Sequence, residues 1–469
     1  MGKTMRKIMP LTGRGCILAA VFIALSAGAE RQAPPEGGKP KDFILPAKED
    51  FELANGLRAT LVSYGQVPKA MVGLMVRTGN LNEPENEVWL ANVAARFMRE
   101  GTVGRSAKEI AAAAARMGGG VNSGAGSDTS GINGDVLSEF APEFIRLVAD
   151  IAQNPLFPET ELGRLKNDQL RTLSIQLSQP ETLALAKFRK TIYGDHPYGR
   201  LLSTAETIKG FTMDKIRSYY EANFGAVRSH LYVVGRFDAK AVKRAIRDAF
   251  GGWKRGPAPA ILPAKTDTRR SVAVVDRPGS QQSTLYVGLP VVDPSHTDSL
   301  ALEVVNFLLG GGSFLSRITA NIRENKGYTY SPYSTISTRY RDAYWVQVAS
   351  VGNTVTAPAL KEILYEIDRL REEPPADKEL KDIQNFMSGT FVMTNSSRAG
   401  ILNILSNQDL HGLGPDYLST YVQKIHALTP KDIQRAAREY LKPDKMIIVV
   451  VGEKKEIADS LKGFGPVVE

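Results

Sequence analysis

The sequence predicts an α+β protein made of two homologous modules, each with a largely antiparallel sheet covered by helices. Two observations support this prediction. Matching segments recur about 217 residues apart, as between Thr212 and Thr429, which indicates an internal duplication. Within each copy, short alternating stretches joined by turn signals come before long helical patterns, an order typical of α+β folds.

The end of each copy carries the clearest part of the repeat, a helix followed by a strand that ends in glycine. Thr212 and Thr429 are suited to cap these helices, and Pro430 suits the first helical position of the second copy. Thr212 lies 23 residues before Gly235, and Thr429 lies 23 residues before Gly452. This agreement in order and spacing favours duplication over chance similarity.

Composition sets the predicted boundaries of the modules. We expect residues 43–253 to form the first module and residues 271–469 to form the second. The segment 254–270 between them is rich in proline and charge, which is typical of an interdomain linker. Residues 30–42, ERQAPPEGGKPKD, are predicted to be a flexible leader.

Residues 1–29 are predicted to be a secretory signal peptide. Basic residues come first, the apolar stretch CILAAVFIALSAGA follows, and small residues end the segment. We therefore expect cleavage near Ala29 and a periplasmic or secreted protein. Cys16 is the only cysteine and would leave with the signal, so we expect no disulfide and no thiolate ligand in the mature chain.

The charge of the chain argues against nucleic acid as a partner. Four basic residues and no acidic residue lie in the predicted signal, so the net charge of +9 falls to about +5 without it. No stripe of interleaved basic and aromatic residues is present. No later segment is apolar enough to form a membrane helix, so we expect no stable membrane anchor.

The elements of the first module can be predicted in order. In FELANGLRATLVSYG the pair Asn55-Gly56 stands between two alternating stretches and predicts a hairpin, and KAMVGLMVRTG predicts a further strand. A helix over WLANVAARFM, an alanine-rich helix over 106–117 and strands through VNSGAGSDTSGINGDVL are expected next. Long helices follow.

The helix over residues 89–102, WLANVAARFMREGT, has an apolar stripe at Trp89, Val93 and Phe97 that would suit any amphipathic core helix. Three further segments follow it along the chain: MGGGVNS (117–123), HPYG (196–199) and PGSQQS (278–283). Together they resemble the pitrilysin/insulinase family of zinc peptidases over nearly the whole mature chain. The family pairs two such modules as a clamshell around a peptide.

The resemblance also shows what this chain lacks. The family's zinc helix carries His-x-x-Glu-His, with a Gly-Thr pair shortly after it. Counted back from the pair at 101–102, the first His falls on Asn92, the Glu on Ala95 and the second His on Arg96. The family's third ligand, a Glu further along the chain, aligns best with Gln169.

These four residues do not have the chemistry of a zinc site. Zinc needs lone pairs from imidazole, thiolate or carboxylate groups. Asn92 is a poor ligand, Ala95 cannot take a proton, and Arg96 has five donors, no acceptor and a permanent charge. The sequence therefore predicts no catalytic residue and no metal in this chain, with zinc expected in a partner subunit. We expect the charge of Arg96 to pair with a carboxylate.

The second module keeps another family feature. Arg323 and Tyr330 stand seven residues apart, as in the family's Arg-x6-Tyr pattern. The resemblance implies that both side chains reach the substrate backbone, where a guanidinium and a phenol can donate hydrogen bonds to a developing oxyanion. Gly310, Gly311 and Gly312 resemble the family's mobile glycine-rich loop near the substrate entry, although an ordinary turn between two helices would also explain them.

Three functions remain open at this stage. The leading hypothesis is a non-catalytic, substrate-binding subunit of a periplasmic heterodimeric zinc metallopeptidase, paired with a zinc-motif homologue that acts on peptides. The alternative is a peptidase-like scaffold or peptide-binding protein without a proteolytic role. The third is an enzyme that uses other metal ligands, although none of the five histidines forms a His-x-x-x-His pair.

Overall fold

The computed structural model describes residues 43–266 and 268–468, which fall in one compact unit. The predicted signal peptide and the predicted leader lie outside the described residues. Within the described part of the chain, none of the helices combines the length and apolar character needed to cross a membrane.

Fourteen strands form the sheets of the described chain. The strands are β1 Lys48–Glu52, β2 Arg58–Ser63, β3 Lys69–Val76, β4 Gly101–Thr102, β5 Arg105–Ser106, β6 Asn122–Ala125, β7 Ser130–Leu137, β8 Ser229–Gly235, β9 Ser271–Asp276, β10 Gln282–Val291, β11 Tyr333–Arg339, β12 Asp342–Gly352, β13 Ile447–Gly452 and β14 Val467–Val468. Six of them form a first sheet in the order β1-β2-β8-β3-β7-β6, and six form a second sheet in the order β11-β12-β10-β13-β9-β14.

The two sheets share one topology. The order β2-β8-β3-β7-β6 in the first sheet corresponds to β9-β13-β10-β12-β11 in the second. In each sheet the first of these pairs is parallel and the other three are antiparallel. The prediction of two homologous α+β modules with largely antiparallel sheets is therefore confirmed.

Fifteen α-helices accompany the described strands. They are α1 Leu90–Phe97, α2 Ala107–Arg116, α3 Ala141–Gln153, α4 Leu162–Ser178, α5 Pro180–Tyr193, α6 Ala205–Lys209, α7 Met213–Asn223, α8 Ala239–Phe250, α9 Ser299–Asn306, α10 Thr356–Glu372, α11 Asp377–Asn395, α12 Arg398–His411, α13 Tyr417–Ala427, α14 Pro430–Tyr440 and α15 Lys454–Leu461. The predicted caps are present: the hydroxyls of Thr212 and Thr429 accept hydrogen bonds from the backbone of α7 and α14.

One helix of each module packs on the sheet of the other module, and we call it the borrowed helix. Helix α5 of the first module packs its apolar residues, Phe188 among them, on β9, β10 and β13 of the second sheet. Helix α12 of the second module packs on β3 and β8 of the first sheet, with Leu402 in the contact. Both faces of each sheet are thus covered, one by its own helices and one by the borrowed helix.

Charged pairs at both ends of α12 hold this helix on the first sheet. Asp409 of α12 accepts two hydrogen bonds from Arg58 of β2, at 2.5 and 2.7 Å. At the other end of α12, Arg398 donates to Asp135 of β7 at 2.8 and 3.0 Å. Bidentate arginine–carboxylate pairs of this kind fix orientation as well as distance, so α12 has one register on the first sheet.

The predicted linker 254–270 runs between α8 and β9 along both modules. Arg228 donates from Nε to the carbonyl of Pro257 at 3.0 Å and from Nη2 to the carbonyl of Ala258 at 2.5 Å. Further along, the hydroxyl of Thr268 donates to the carbonyl of Lys445 at 2.8 Å. The linker is therefore hydrogen-bonded to the first module near its start and to the second module near its end.

Candidate functional site

Helix α1 carries three of the four positions that the sequence assigns to the lost zinc motif. Its apolar stripe of Trp89, Val93 and Phe97 is buried, as predicted. Asn92 and Arg96, one turn apart, are half-buried on the opposite face. Trp89, just before the helix, has left-handed backbone geometry with φ of 79° and donates from Nε1 to the carbonyl of Leu201 at 3.0 Å. These contacts fix where the helix begins.

Asn92 is a structural brace. Its Oδ1 accepts a hydrogen bond from Asn80 at 2.8 Å, and its Nδ2 donates to the carbonyl of Ala125 at 3.0 Å. The amide therefore ties the turn before α1 to the edge strand β6. Its oxygen is already engaged and is not presented as a metal ligand.

The next two positions likewise offer no ligand. Ala95 is buried, and its backbone carbonyl accepts a hydrogen bond from the hydroxyl of Ser123 at 2.6 Å. Gln169 lies on α4 and is 5% exposed. A methyl group and a neutral amide replace the base and the acidic ligand that the family pattern requires at these positions.

Arg96 pairs with a carboxylate, as expected from its charge. Its Nη2 lies 3.4 Å from Oδ2 of Asp168, the residue before Gln169 on α4. Asp168 is shared, because Arg164 contacts it at 3.4 Å and Arg171 contacts it at 2.9 Å. The position that would hold a histidine beside a metal thus holds a cation within a cluster of charged side chains.

Arg99 adds a second cation to this face, and the sequence reading passed over it. Its Nε donates to the hydroxyl of Ser123 at 2.9 Å, and its Nη1 donates to the carbonyl of Val121 at 3.0 Å. Burial lowers the pKa of Arg99, and the positive charge of Arg96 lowers it further. Its spacing from Arg96, three residues on a helical pattern, is the signal that could have identified it.

Glu83 is a second residue that the sequence reading missed. It is 6% exposed and accepts hydrogen bonds at Oε1 from the backbone of Ala91 and from Asn80, both at 2.8 Å. Burial raises its pKa to about 7. The carboxyl group therefore caps the start of α1 from a turn that folds back on the helix, and the turn signal at Glu83-Pro84 was the available clue.

The residues present do not fit a zinc ion at this position. The four positions offer two amides, a methyl group and a guanidinium, and the amide oxygen of Asn92 is already bonded. Elsewhere in residues 43–266 and 268–468, no group of three or more His, Cys, Asp or Glu side chains is placed to hold a metal ion.

In the second module, Gly310 and Gly311 end a π-helical segment, Phe307–Gly311, that continues α9, and Gly312 begins the turn that follows. Side chains would not fit here, because a Cβ on Gly310 would lie 2.5 Å from the side chain of Gln347 and a Cβ on Gly312 would lie 2.6 Å from the carbonyl of Phe307. Gly310 and Gly312 are buried and Gly311 is half-buried. The glycines therefore permit close packing at the end of this helical segment, and the exposed residues are those that follow it, 313–315.

Arg323 and Tyr330 are brought together, with Phe314 beside them. The guanidinium carbon of Arg323 lies 4.4 Å from the ring centre of Phe314 and 5.0 Å from that of Tyr330. Phe314 is 62% exposed and Tyr330 is 80% exposed. Arg323 also pairs with Glu324 at 3.2 Å. The cluster presents a guanidinium, a phenol and an aromatic ring at one surface.

The two clusters are separate in this structure. Among the described residues, no hydrogen bond, ion pair or ring contact joins the half-exposed face of α1 to Arg323 or Tyr330. Arg323 and Tyr330 are neighbours in the structure, and their role toward a substrate stays a prediction.

Two family models match the chain in succession. The model described as insulinase, peptidase family M16, matches residues 59–206, and the model described as the peptidase M16 inactive domain matches residues 210–387. Together they span most of both modules.

Relatives match over most of their own length. The chain is 24% identical to an uncharacterized zinc protease YmxG of Bacillus subtilis over 85% of this chain and 97% of the relative. It is 26% identical to an uncharacterized zinc protease of Rickettsia felis over 70% and 79%. It is 22% identical to a protein of Helicobacter pylori named non-peptidase homolog YmxG, over 83% and 90%.

Solved structures share the fold. A peptidase M16 inactive domain from Pseudomonas fluorescens superposes with a TM-score of 0.81 at 23% identity, over 86% of this chain and 98% of that one. The periplasmic protease PqqL from Escherichia coli superposes with a TM-score of 0.74 at 16% identity, over 94% of this chain and 50% of that one.

Proposed function

Because this chain belongs to the insulinase family of peptidases, peptidase family M16, we propose that it is a non-catalytic, peptide-binding subunit of a zinc metallopeptidase. Its partner is a homologous subunit with an intact His-x-x-Glu-His motif, which supplies the metal, the base and the attacking water. The two chains form a heterodimer that degrades or processes peptides in the bacterial periplasm.

One observation carries this proposal. At the three α1 positions of the motif, the chain has an amide that braces β6, a buried methyl group and an arginine paired with Asp168. An arginine repels a divalent cation and has no lone pair to offer. The chain therefore has the fold of a metallopeptidase, but it carries a positive charge where that fold would hold a zinc ligand.

The cluster around Arg323 supports a role in binding substrate. A guanidinium beside an exposed phenol can donate several hydrogen bonds to the carbonyl groups of an extended peptide. Phe314 adds apolar surface next to these donors. Grouping a guanidinium, a phenol and an apolar ring at one exposed place suits the binding of a peptide.

The location and the partner rest on other observations. The signal-like composition of residues 1–29 supports export, and the structural relative PqqL is described as a periplasmic protease. The absence of zinc-binding chemistry at α1 is what requires a second subunit for proteolysis.

A scaffold without a proteolytic role is the second candidate. The observation that favours it is the engagement of Arg323, which contacts Phe314, Tyr330 and Glu324 within its own chain. The relative from Helicobacter pylori is also named a non-peptidase homolog.

Metal analysis and peptide cleavage by the purified mature chain test the proposal. We expect no bound zinc and no cleavage by the chain alone, and cleavage when it is mixed with a zinc-motif homologue encoded beside it, above that of the homologue alone. Zinc and cleavage by this chain alone would overturn the proposal. A stable complex with no gain in cleavage would favour the scaffold.

A further inference from the structure

Two arginines lie at the C-terminal end of α1, close to the edge strand β6. Arg96 is 37% exposed at its side chain, and Arg99 follows three residues later, just beyond the end of the helix. Arg96 reaches Asp168 on α4, and Arg99 reaches Ser123 of β6 on the other side of the helix end. The two cations are close enough for the charge of Arg96 to act on Arg99, so the end of α1 has a positive charge on either side of it.

Arg96 has few intramolecular partners for its five donors. Among the described residues Arg96 contacts one acceptor: its Nη2 lies 3.4 Å from Oδ2 of Asp168. Asp168 has a closer partner in Arg171, at 2.9 Å, and a third in Arg164. One carboxylate thus serves three guanidinium groups, and Arg96 has donors to spare.

Arg99 has no carboxylate partner among the described ion pairs. Its two hydrogen bonds go to neutral oxygens, the hydroxyl of Ser123 and the carbonyl of Val121. Of the nearby acids, Glu100 is paired with Arg164 at 2.5 Å. Burial lowers the pKa of Arg99, and the nearby charge of Arg96 adds to this lowering while Glu100 opposes it.

Cations near the end of a helix are common, because the helix dipole favours them there. The dipole explains why arginines are tolerated at this place. It does not supply the charged, planar acceptor that a guanidinium fork binds best, namely a carboxylate.

We propose that Arg96 and Arg99 bind a carboxylate of the peptide substrate, so that the position of the lost metal selects for an acidic group. The carboxylate belongs either to an Asp or Glu side chain or to the free C-terminus of the peptide. This inference rests on the proposed function, since it assigns a substrate class to the same chain.

A set of four labelled peptides of one length tests the inference, with binding followed by fluorescence anisotropy. Three have an amidated C-terminus and carry Glu, Gln or Lys at one internal position, and the fourth carries Gln and a free C-terminus. We expect the purified mature chain to bind the Glu peptide or the free-terminus peptide about three- to tenfold more tightly than the amidated Gln peptide, and the Lys peptide most weakly. Whichever of the two acidic peptides shows the gain identifies the source of the carboxylate.

Three variants attribute the preference to this place. Arg96→Gln should abolish the preference, so that the preferred peptide binds no more tightly than the amidated Gln peptide. Arg244→Gln, at an exposed arginine of α8, removes the same charge elsewhere and should keep the preference. Asp168→Asn removes the acid that competes for Arg96 and should strengthen binding of the preferred peptide.

The outcomes separate this inference from the function on which it rests. If no peptide binds, the proposed peptide-binding function fails. If all four peptides bind equally, or if Arg96→Gln keeps the preference, the carboxylate site is wrong and the peptide-binding function stands. Raising the salt concentration should weaken only the preferred peptide, because charge pairs at a surface are screened.

Discussion

Gly73 of β3 and Gly288 of β10 lie on corresponding strands, and each faces a helix borrowed from the other module. A Cβ on Gly73 would lie 2.7 Å from Cδ1 of Leu402 on α12, and a Cβ on Gly288 would lie 2.8 Å from Cζ of Phe188 on α5. In both sheets the borrowed helix therefore approaches the strand most closely at a glycine, where no side chain is in the way. The two modules share this close contact.

The first prediction compares these glycines. Gly288→Ala should lower the free energy of unfolding by about 3 kcal/mol and Gly73→Ala by about 1 kcal/mol, as overpacking does in well-packed interiors. The reason for the difference is the neighbour: a Cβ on Gly288 also meets the backbone carbonyl of Trp345 at 2.2 Å, whereas the end of Leu402 can rotate away. Urea unfolding of both variants measures it, and equal losses would contradict the role given to the close carbonyl of Trp345.

The second prediction concerns the buried carboxyl group of Glu83. Its pKa is raised to about 7 in the folded protein, mainly by burial, from 4.5. The folded state therefore binds a proton more tightly than the unfolded state. This contribution to stability is complete below about pH 4.5 and is lost as the pH rises to about 7, on the order of 3 kcal/mol in all.

Glu83→Gln keeps an acceptor for Ala91 and Asn80 but cannot ionise. We expect its free energy of unfolding to fall much less than that of the parent between pH 5 and pH 8. Glu221→Gln, at an exposed glutamate of α7, is the control and should follow the parent. Parallel pH profiles for Glu83→Gln and the parent would show that Glu83 is ionised in the folded protein at pH 5.

Much of the fold could be predicted from the sequence because its signals are either local or repeated in both halves of the chain. The caps at Thr212 and Thr429 and the hairpin at Asn55-Gly56 are local signals, and each stands where it was expected. The exchange of α5 and α12 could not be predicted, since amphipathic helices show which face is buried but not which sheet buries it.

The candidate site shows the same limit. Arg323 and Tyr330 were singled out by their resemblance to the family's Arg-x6-Tyr pattern, and the structure places their side chains in contact. The role of Phe314 as a third member of that cluster depends on the turn that Gly312 begins, which sequence spacing does not describe. Asp168 likewise became a partner of Arg96 only through the packing of α4 on α1.

The third prediction restores the lost zinc chemistry. A variant with Asn92→His, Ala95→Glu, Arg96→His and Gln169→Glu should bind about one zinc ion per chain, because it supplies two imidazoles, a carboxylate ligand and a base. A variant with only Asn92→His and Arg96→His is the matched control and should bind zinc far more weakly. Metal content after gel filtration measures both.

The outcome that contradicts this prediction is a folded fourfold variant without zinc. It would mean that Gln169 is not the position of the third ligand, and Asp168 next to it would become the first alternative to examine. Loss of the bridge that Asn92 makes between Asn80 and Ala125 is a known cost of the substitution, so circular dichroism must first show that the variant folds.

The fourth prediction separates the peptidase subunit from the scaffold. Arg323→Ala should lower kcat/KM of the complex about a hundredfold, since it removes donors aimed at a developing oxyanion. Tyr330→Phe should cost less, about tenfold, because the ring that contacts Arg323 is kept and only the hydroxyl is lost.

Arg323→Lys keeps the charge without the planar fork, so it should recover only part of the activity. The residues that Arg323 contacts, Phe314, Tyr330 and Glu324, are all exposed, so none of these changes should shift the melting temperature much or prevent assembly, which gel filtration can verify. Full cleavage by a complex that contains Arg323→Ala would leave the cluster without a role in catalysis and would favour the scaffold.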